Sequence, residues 1–184
     1  MKKNILLGVS SGIGAKDTIH LIQLLTTLFN VKVMVSSRAE NFFDLNELKS
    51  LVPVFDDHSE WYTWKKRGDE VLHISLRNWA DVFLIAPLSA NTLAKMTQGI
   101  ADNLILTVAR AWVLNKKSLI VAPSMNRFMW EHPLTRRQLT ELHSWGIREI
   151  PPRCKMLSGG DFGVGALEKP EIILAYIEDL LKNG

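Results

Sequence analysis

The chain has 184 residues, of which 47% are apolar and 22% charged, and it carries a formal net charge of +3. That length can bury a core without staples, and the single cysteine, Cys154, excludes an intrachain disulfide and suits a reducing compartment. Lysines and arginines are scattered rather than striped, which argues against a nucleic-acid surface, and no stretch approaches the ~18–20 apolar residues of a membrane span.

The opening residues, MKKNILL, are basic and then apolar, but the apolar run is too short for a secretory signal and no small-residue cleavage site follows. A cytoplasmic protein is expected. Residues 1–184 read as one domain, without internal repeat or linker.

Five strands are expected in chain order: Asn4–Val9, Val31–Ser36, Val82–Ala86, Ser118–Ala122 and Arg148–Ile150. The first four are aliphatic or β-branched on both parities, as strands buried on both faces are. Amphipathic stretches lie between them at 13–28, 89–98, 103–114 and 135–145, and a last helix runs from Pro170 to about Lys182. Pro170 suits a helix first turn. The alternation predicts an α/β fold, a parallel sheet with right-handed crossovers and helices on both faces. Ligands on such sheets bind beyond the strands' carboxyl ends, so the loops 8–14, 36–44 and 86–92 matter most. The stretch 151–169 is glycine-rich and is expected to lack regular structure.

Gly8, Gly12 and Gly14 form a G-x-x-x-G-x-G turn after the first strand, a spacing shared with short-chain dehydrogenases. Other demands of that reading fail. The chain is short for it, the one Tyr-x-x-x-Lys match (Tyr62, Lys66) lies early, and Ser36, Ser37 and Arg38 stand where an acidic ribose ligand belongs. Hydroxyls and an arginine suit a phosphate monoester better. Ser10, Ser11 and Gly12 at a strand-to-helix turn make an anion site, or else the glycines serve turn geometry and packing alone.

Four blocks are far more specific. "APLSANTLAKMTQGIADN" (86–103) and "PSMNRFMWEHP" (123–133) match the P-x-S-A-N-T and P-x-M-N-x-x-M-W segments of the flavin-dependent cysteine decarboxylases. "VLHISLRNWAD" (71–81) resembles the histidine-bearing segment of phosphopantothenoylcysteine decarboxylases, and "KMLSGGDFGVGALE" (155–168) their mobile substrate-covering loop, placed within 151–169. The blocks occur in the family's order and cover essentially the whole chain. By this resemblance the chain is identified as a member of the phosphopantothenoylcysteine decarboxylase group, whose relatives include lantibiotic peptidyl-cysteine decarboxylases and fungal halotolerance proteins that regulate a phosphatase.

The resemblance implies a Rossmann-like, flavodoxin-like subunit that binds FMN, assembled as a homotrimer or a multiple of trimers with active sites between subunits. It puts Ser10, Ser11, Gly12 and Ser36 near the FMN phosphate, Phe42 against the isoalloxazine ring, and Ser89, Ala90, Asn91 and Thr92 along the flavin. Phe42 could equally be a plain core residue. His73 matches the family's essential histidine, although a lone histidine is more often structural. Asn126 matches the asparagine that holds the substrate carboxylate, with Met129 beside it, and Gly159, Gly160 and Asp161 fall in the covering loop. A neutral amide orients a carboxylate without stabilising its charge as an arginine would. His20, His58, His132 and His143 match no catalytic position, and no metal-ligand spacing is present.

One departure bears on the reaction. The coenzyme A biosynthesis enzymes carry a cysteine immediately before Gly-Asp in the covering loop, where this chain has Gly159; Cys154 lies five residues earlier and does not align. Ala101 and Asn78 also replace a frequent cysteine and arginine. In the family's first half-reaction the substrate β-carbon loses a hydride to FMN and carbon dioxide leaves, giving an enethiol. In the second, the loop cysteine donates a proton while hydride returns. Glycine cannot perform that step. Three expectations follow: an FMN-dependent decarboxylase acting on phosphopantothenoylcysteine or a peptide C-terminal cysteine and releasing an enethiol; a catalytically incomplete regulatory subunit or hetero-oligomer partner; or Cys154 acting as a substitute acid.

Overall fold

The computed structural model describes residues 2–183 except 115 and 161. Its centre is a parallel sheet built from β1 (Asn4–Val9), β2 (Asn30–Val35), β3 (Val54–Phe55), β4 (Val82–Leu88), β5 (Ser118–Pro123) and β6 (Arg148–Glu149), in the order β3-β2-β1-β4-β5-β6. Every residue of β4 is buried, and β1 and β5 are buried from their second residue onward. That explains the unbroken apolar runs. Alternate side chains serve two cores. Ile5, Leu7, Val33, Leu84 and Ile120 face α1 (Thr18–Leu28), α2 (Leu45–Leu51) and α9 (Pro170–Asn183). Leu6, Met34, Phe83, Ile85 and Val121 face α4 (Leu72–Trp79), α5 (Ala90–Thr97), α6 (Leu104–Arg110) and α8 (Pro133–Ser144) on the other side. The expected α/β layering is therefore present. Strand order reverses between β1 and β4, and this opens a crevice at their carboxyl ends.

Three expectations change. The stretch 13–28 is a 3-10 turn, Ile13–Asp17, followed by α1, and α6 ends at Arg110 rather than near 114. The polar region between β2 and β4 holds β3 and three short helices (α2, α3 at Asp57–Thr63, and α4), of which α2 and α3 start at side-chain caps rather than at an apolar periodicity. Asp44 accepts from Asn46 and Glu47 N–H groups at the start of α2, and Asp56 and Ser59 cap α3 reciprocally. Most consequentially, 151–169 is not structureless: β7 (Arg153–Met156) and β8 (Phe162–Ala166) pair as an antiparallel hairpin. Gly163 and Gly165 of β8 read as loop although close packing, rather than an irregular backbone, requires them.

The helix α3 also caps a neighbour. Asp57 Oδ1 accepts the Leu104 N–H at 2.8 Å, at the start of α6. Burial raises the Asp57 carboxyl above its ordinary value of 3.8; the Leu104 bond opposes this, and Asp56 and Asp102 add to it. The folded chain thus holds its proton to higher pH than the unfolded chain, so stability falls as pH rises through the window just above 3.8. Asp57→Asn keeps an acceptor and removes the charge. The variant is expected to lose less stability than the parent between about pH 4 and 6 in paired melting curves.

Candidate active site

A cleft of about 610 Å³ opens at the reversal point. Ser11, Gly12 and Gly14 line it from the first loop, Phe42 from a 3-10 turn after β2, and Ser89, Ala90 and Asn91 from the start of α5. Asn126 and Met129 line it from α7 (Arg127–Glu131) and its cap, and Gly159 from the hairpin turn. These residues come from sequence segments up to the full length of the sheet apart, and they meet because each follows a strand's carboxyl end.

Not every expected residue reaches the cleft wall. Ser10 is buried; its hydroxyl donates to the Pro87 carbonyl at 2.7 Å and accepts the Ser89 N–H at 2.8 Å. It clamps the loop after β1 to the loop after β4 from behind. Thr92 is likewise buried, with its N–H on Ser89 Oγ (3.2 Å) and its hydroxyl accepting from Ser89 (3.0 Å). Both hold the wall in place. Ser36, at the end of β2, has a buried hydroxyl with no hydrogen-bond partner. Gly160 closes the hairpin turn, its N–H on the Leu157 carbonyl at 2.9 Å and its φ at +90°. Asp161 lies outside the described residues.

Asn126 is oriented by its own helix. Its side-chain oxygen accepts the Phe128 N–H at 2.9 Å as the N-cap of α7. The amide nitrogen is then the group it has to offer a ligand. The hairpin lies directly against this loop: Met125 N–H donates to the Gly165 carbonyl at 2.8 Å, and a Cβ at Gly165 would sit 2.3 Å from the Met125 carbonyl oxygen. Gly165 also has φ +149°. Only glycine fits such an approach. Gly165→Ala is expected to destabilise the fold by roughly 2 kcal/mol or more, read as a lower denaturation midpoint with near-parental slope.

Alternation along β7 separates two residues of different consequence. Lys155 is half-buried and lines the cleft, whereas Cys154 is exposed and is not among the cleft-lining residues. The geometry therefore places Lys155, not Cys154, at the wall. Burial lowers the Lys155 ammonium below the ordinary lysine range, and Arg153 and Lys16 add to this against the pull of Asp17. Lys16, Asp17, Lys155 and Ser124 also line the cleft; Ser124 and Lys155 fall within the matched blocks 123–133 and 155–168, but nothing in the sequence singles out any of the four as a cleft residue.

His73 stands apart from the cleft within one chain. It lies in the first turn of α4, where its N–H donates to Glu60 Oε2 at 3.0 Å and its Nδ1 hydrogen-bonds Glu60 Oε1. Beside this pair, α3 and the residue after it put Trp61, Tyr62 and Trp64 into solvent, at 80%, 64% and 52% exposure. The other histidines are engaged on the surface: His20 with Glu171, His143 with Glu149, His58 stacked on Tyr62, and His132 capping α8. Among the described residues no group of acidic, cysteine and histidine side chains could hold a metal ion, and no helix is long and apolar enough to cross a membrane.

The Flavoprotein family profile matches residues 1–182. The chain is 44% identical to phosphopantothenoylcysteine decarboxylase of Oryza sativa subsp. japonica over 172 residues, spanning 94% of this chain and 78% of that protein. It is 43% identical to the Mus musculus enzyme of that name over 184 residues, spanning 99% and 89%. Among solved structures, a cysteine-to-serine mutant of PPC decarboxylase complexed with pantothenoylaminoethenethiol superposes with TM-score 0.96 at 41% identity, covering 100% of both chains. The FMN binding protein AtHal3 superposes with TM-score 0.93 at 41% identity, covering 100% of this chain and 99% of that one. The chain belongs to the Flavoprotein family and is a homologue of phosphopantothenoylcysteine decarboxylase.

Proposed function

We propose that the chain is an FMN-dependent decarboxylase of a cysteinyl carboxylate, such as phosphopantothenoylcysteine or a peptide C-terminal cysteine, and that its product is the enethiol. The observation that carries this reading is the cleft itself, which joins an anion-holding turn, an aromatic wall and a carboxylate-orienting amide while presenting Gly159 at the loop position of the acid.

The residues present suit FMN. The buried Ser36 hydroxyl has bonding capacity to give, and a Cβ at Gly12 would meet nothing within 4 Å, so the first loop leaves room for a close phosphate. Phe42 offers a flat face, and Ala90 allows close backbone approach beside it. Bound there, FMN supplies a hydride acceptor for the substrate β-carbon. Asn126 holds the substrate carboxylate through its amide N–H, with Met129 packed beside it, and leaves that charge weakly stabilised so that carbon dioxide departs more readily. The hairpin turn at 157–160 covers the substrate and excludes water. His73 enters from a second copy. The exposed Trp61, Tyr62 and Trp64 flank it and suit burial between subunits, which supports a homotrimer with sites at its interfaces.

The reading is tested by incubating purified, yellow protein anaerobically with phosphopantothenoylcysteine and with a peptide ending in cysteine, following flavin bleaching and product mass. Loss of carbon dioxide plus two hydrogens is the expected result. A protein that binds FMN but turns over neither substrate would overturn the enzyme reading and favour a regulatory subunit or hetero-oligomer partner. That alternative draws on Gly159, since a chain supplying the missing acid would complete such a site.

A further inference from the structure

The Glu60 carboxylate touches His73 twice, once at the backbone N–H (3.0 Å) and once at ring Nδ1. Both side chains are largely withdrawn from water, with 13% exposure for Glu60 and 22% for His73. An ionised carboxylate can only accept, so the ring nitrogen facing it must carry the proton. A neutral histidine in water favours the opposite tautomer, protonated on Nε2. We propose that Glu60 is a positioning residue that holds His73 in the Nδ1-protonated tautomer and presents Nε2 outward as a proton acceptor.

Three features of the fold make this arrangement specific. The bond to the His73 N–H anchors the carboxylate at the start of α4, so its second oxygen meets the ring at a fixed place. Capping by Asp56 and Ser59 fixes the start of α3, and the Asp57 bond to Leu104 N–H ties the same helix to α6. Glu60 is therefore delivered by a helix held at independent points, and it reaches across thirteen residues of sequence to do so. Trp61 and Tyr62, which follow it in α3, lie in solvent, so the face beside His73 is open to being covered. A base whose orientation is set by a carboxylate on its far nitrogen is a recurrent catalytic device.

The functional part of this inference rests on His73 being an active-site residue, as proposed above; the tautomer does not. The test uses Glu60→Gln in the FMN-loaded protein. Glutamine keeps the size and one oxygen for the His73 N–H, so a helix cap survives, but it turns an amide N–H towards Nδ1. Ring nitrogen signals of ¹⁵N-labelled wild type are expected to show Nδ1–H, and those of Glu60→Gln to show Nε2–H. With dioxygen present to reoxidise the flavin, turnover of a cysteinyl substrate is expected to fall on the order of 10- to 100-fold in kcat, with KM within about twofold and an unchanged melting curve. Nε2–H in the wild-type ring overturns the proposal, as does Glu60→Gln with wild-type kcat. If His73→Asn turns over like wild type, or wild type turns over nothing, the functional reading fails instead, and the ring signals still decide the tautomer.

Discussion

Replacing Asn126 by Asp is expected to raise KM for a cysteinyl substrate by about 10- to 100-fold while leaving the fold intact. The side-chain oxygen of Asn126 accepts the Phe128 N–H at 2.9 Å, and aspartate caps a helix as well as asparagine does. What changes is the other end of the group. The amide nitrogen that would donate to the substrate carboxylate becomes a second carboxylate oxygen, replacing one hydrogen bond by repulsion between like charges in a partly enclosed cleft. Each 1.4 kcal/mol of such a penalty is about tenfold in affinity. Asn126→Ala is the less informative variant because it removes the cap along with the donor. Steady-state kinetics in air, where dioxygen reoxidises the flavin, beside a thermal melt check the prediction, and an unaltered KM with either substrate would remove Asn126 from the substrate site.

Asn126 is legible from the sequence, whereas other parts of the fold and the cleft are not. β1, β2, β4 and β5 announce themselves because burial on both faces demands apolar residues at most positions, Lys32 of β2 being an exception that is only half-buried. β3 is two residues long at the sheet's edge and α3 exposes most of its aromatic side chains, so neither leaves a periodic trace. The hairpin at 153–166 is hidden by its own packing: Gly163 lies against the Arg127 side chain and Gly165 against the Met125 carbonyl, and glycines required by close contact look like glycines of a loop. Within the cleft, Ala90 and Asn126 stand inside the contiguous blocks 86–103 and 123–133, and Ser11 and Gly12 in the glycine turn after β1. Lys16 and Lys155 come from opposite ends of the chain, and their common location exists only once the hairpin folds back. The Glu60–His73 pair needs two helices to be docked before either residue has a partner.

Gly159→Cys carries the strongest expectation about chemistry. Gly159 lines the cleft from the turn between β7 and β8, so a thiol built there reaches the same space as Asn126. In the proposed reaction the wild-type chain removes two hydrogens and carbon dioxide and stops, so without an external oxidant it yields about one product per bound flavin. A thiol with a pKa near about 8.5 can donate the proton needed to saturate the enethiol while hydride returns to the same carbon skeleton. The net change is then loss of carbon dioxide alone, the flavin ends oxidised, and anaerobic turnover continues past one equivalent. Mass spectrometry should show product two hydrogens heavier than that of wild type, with a stoichiometry per flavin far above one. Cys154→Ser serves as the control: Cys154 is exposed and absent from the cleft wall, so its removal should alter neither the product nor the stoichiometry. If Gly159→Cys still yields only the enethiol at one equivalent, the missing thiol is not what halts the chain at that stage. A wild-type product already lacking carbon dioxide alone would point instead to an acid resident in the cleft, for which the half-buried, charge-crowded Lys155 is the group in place.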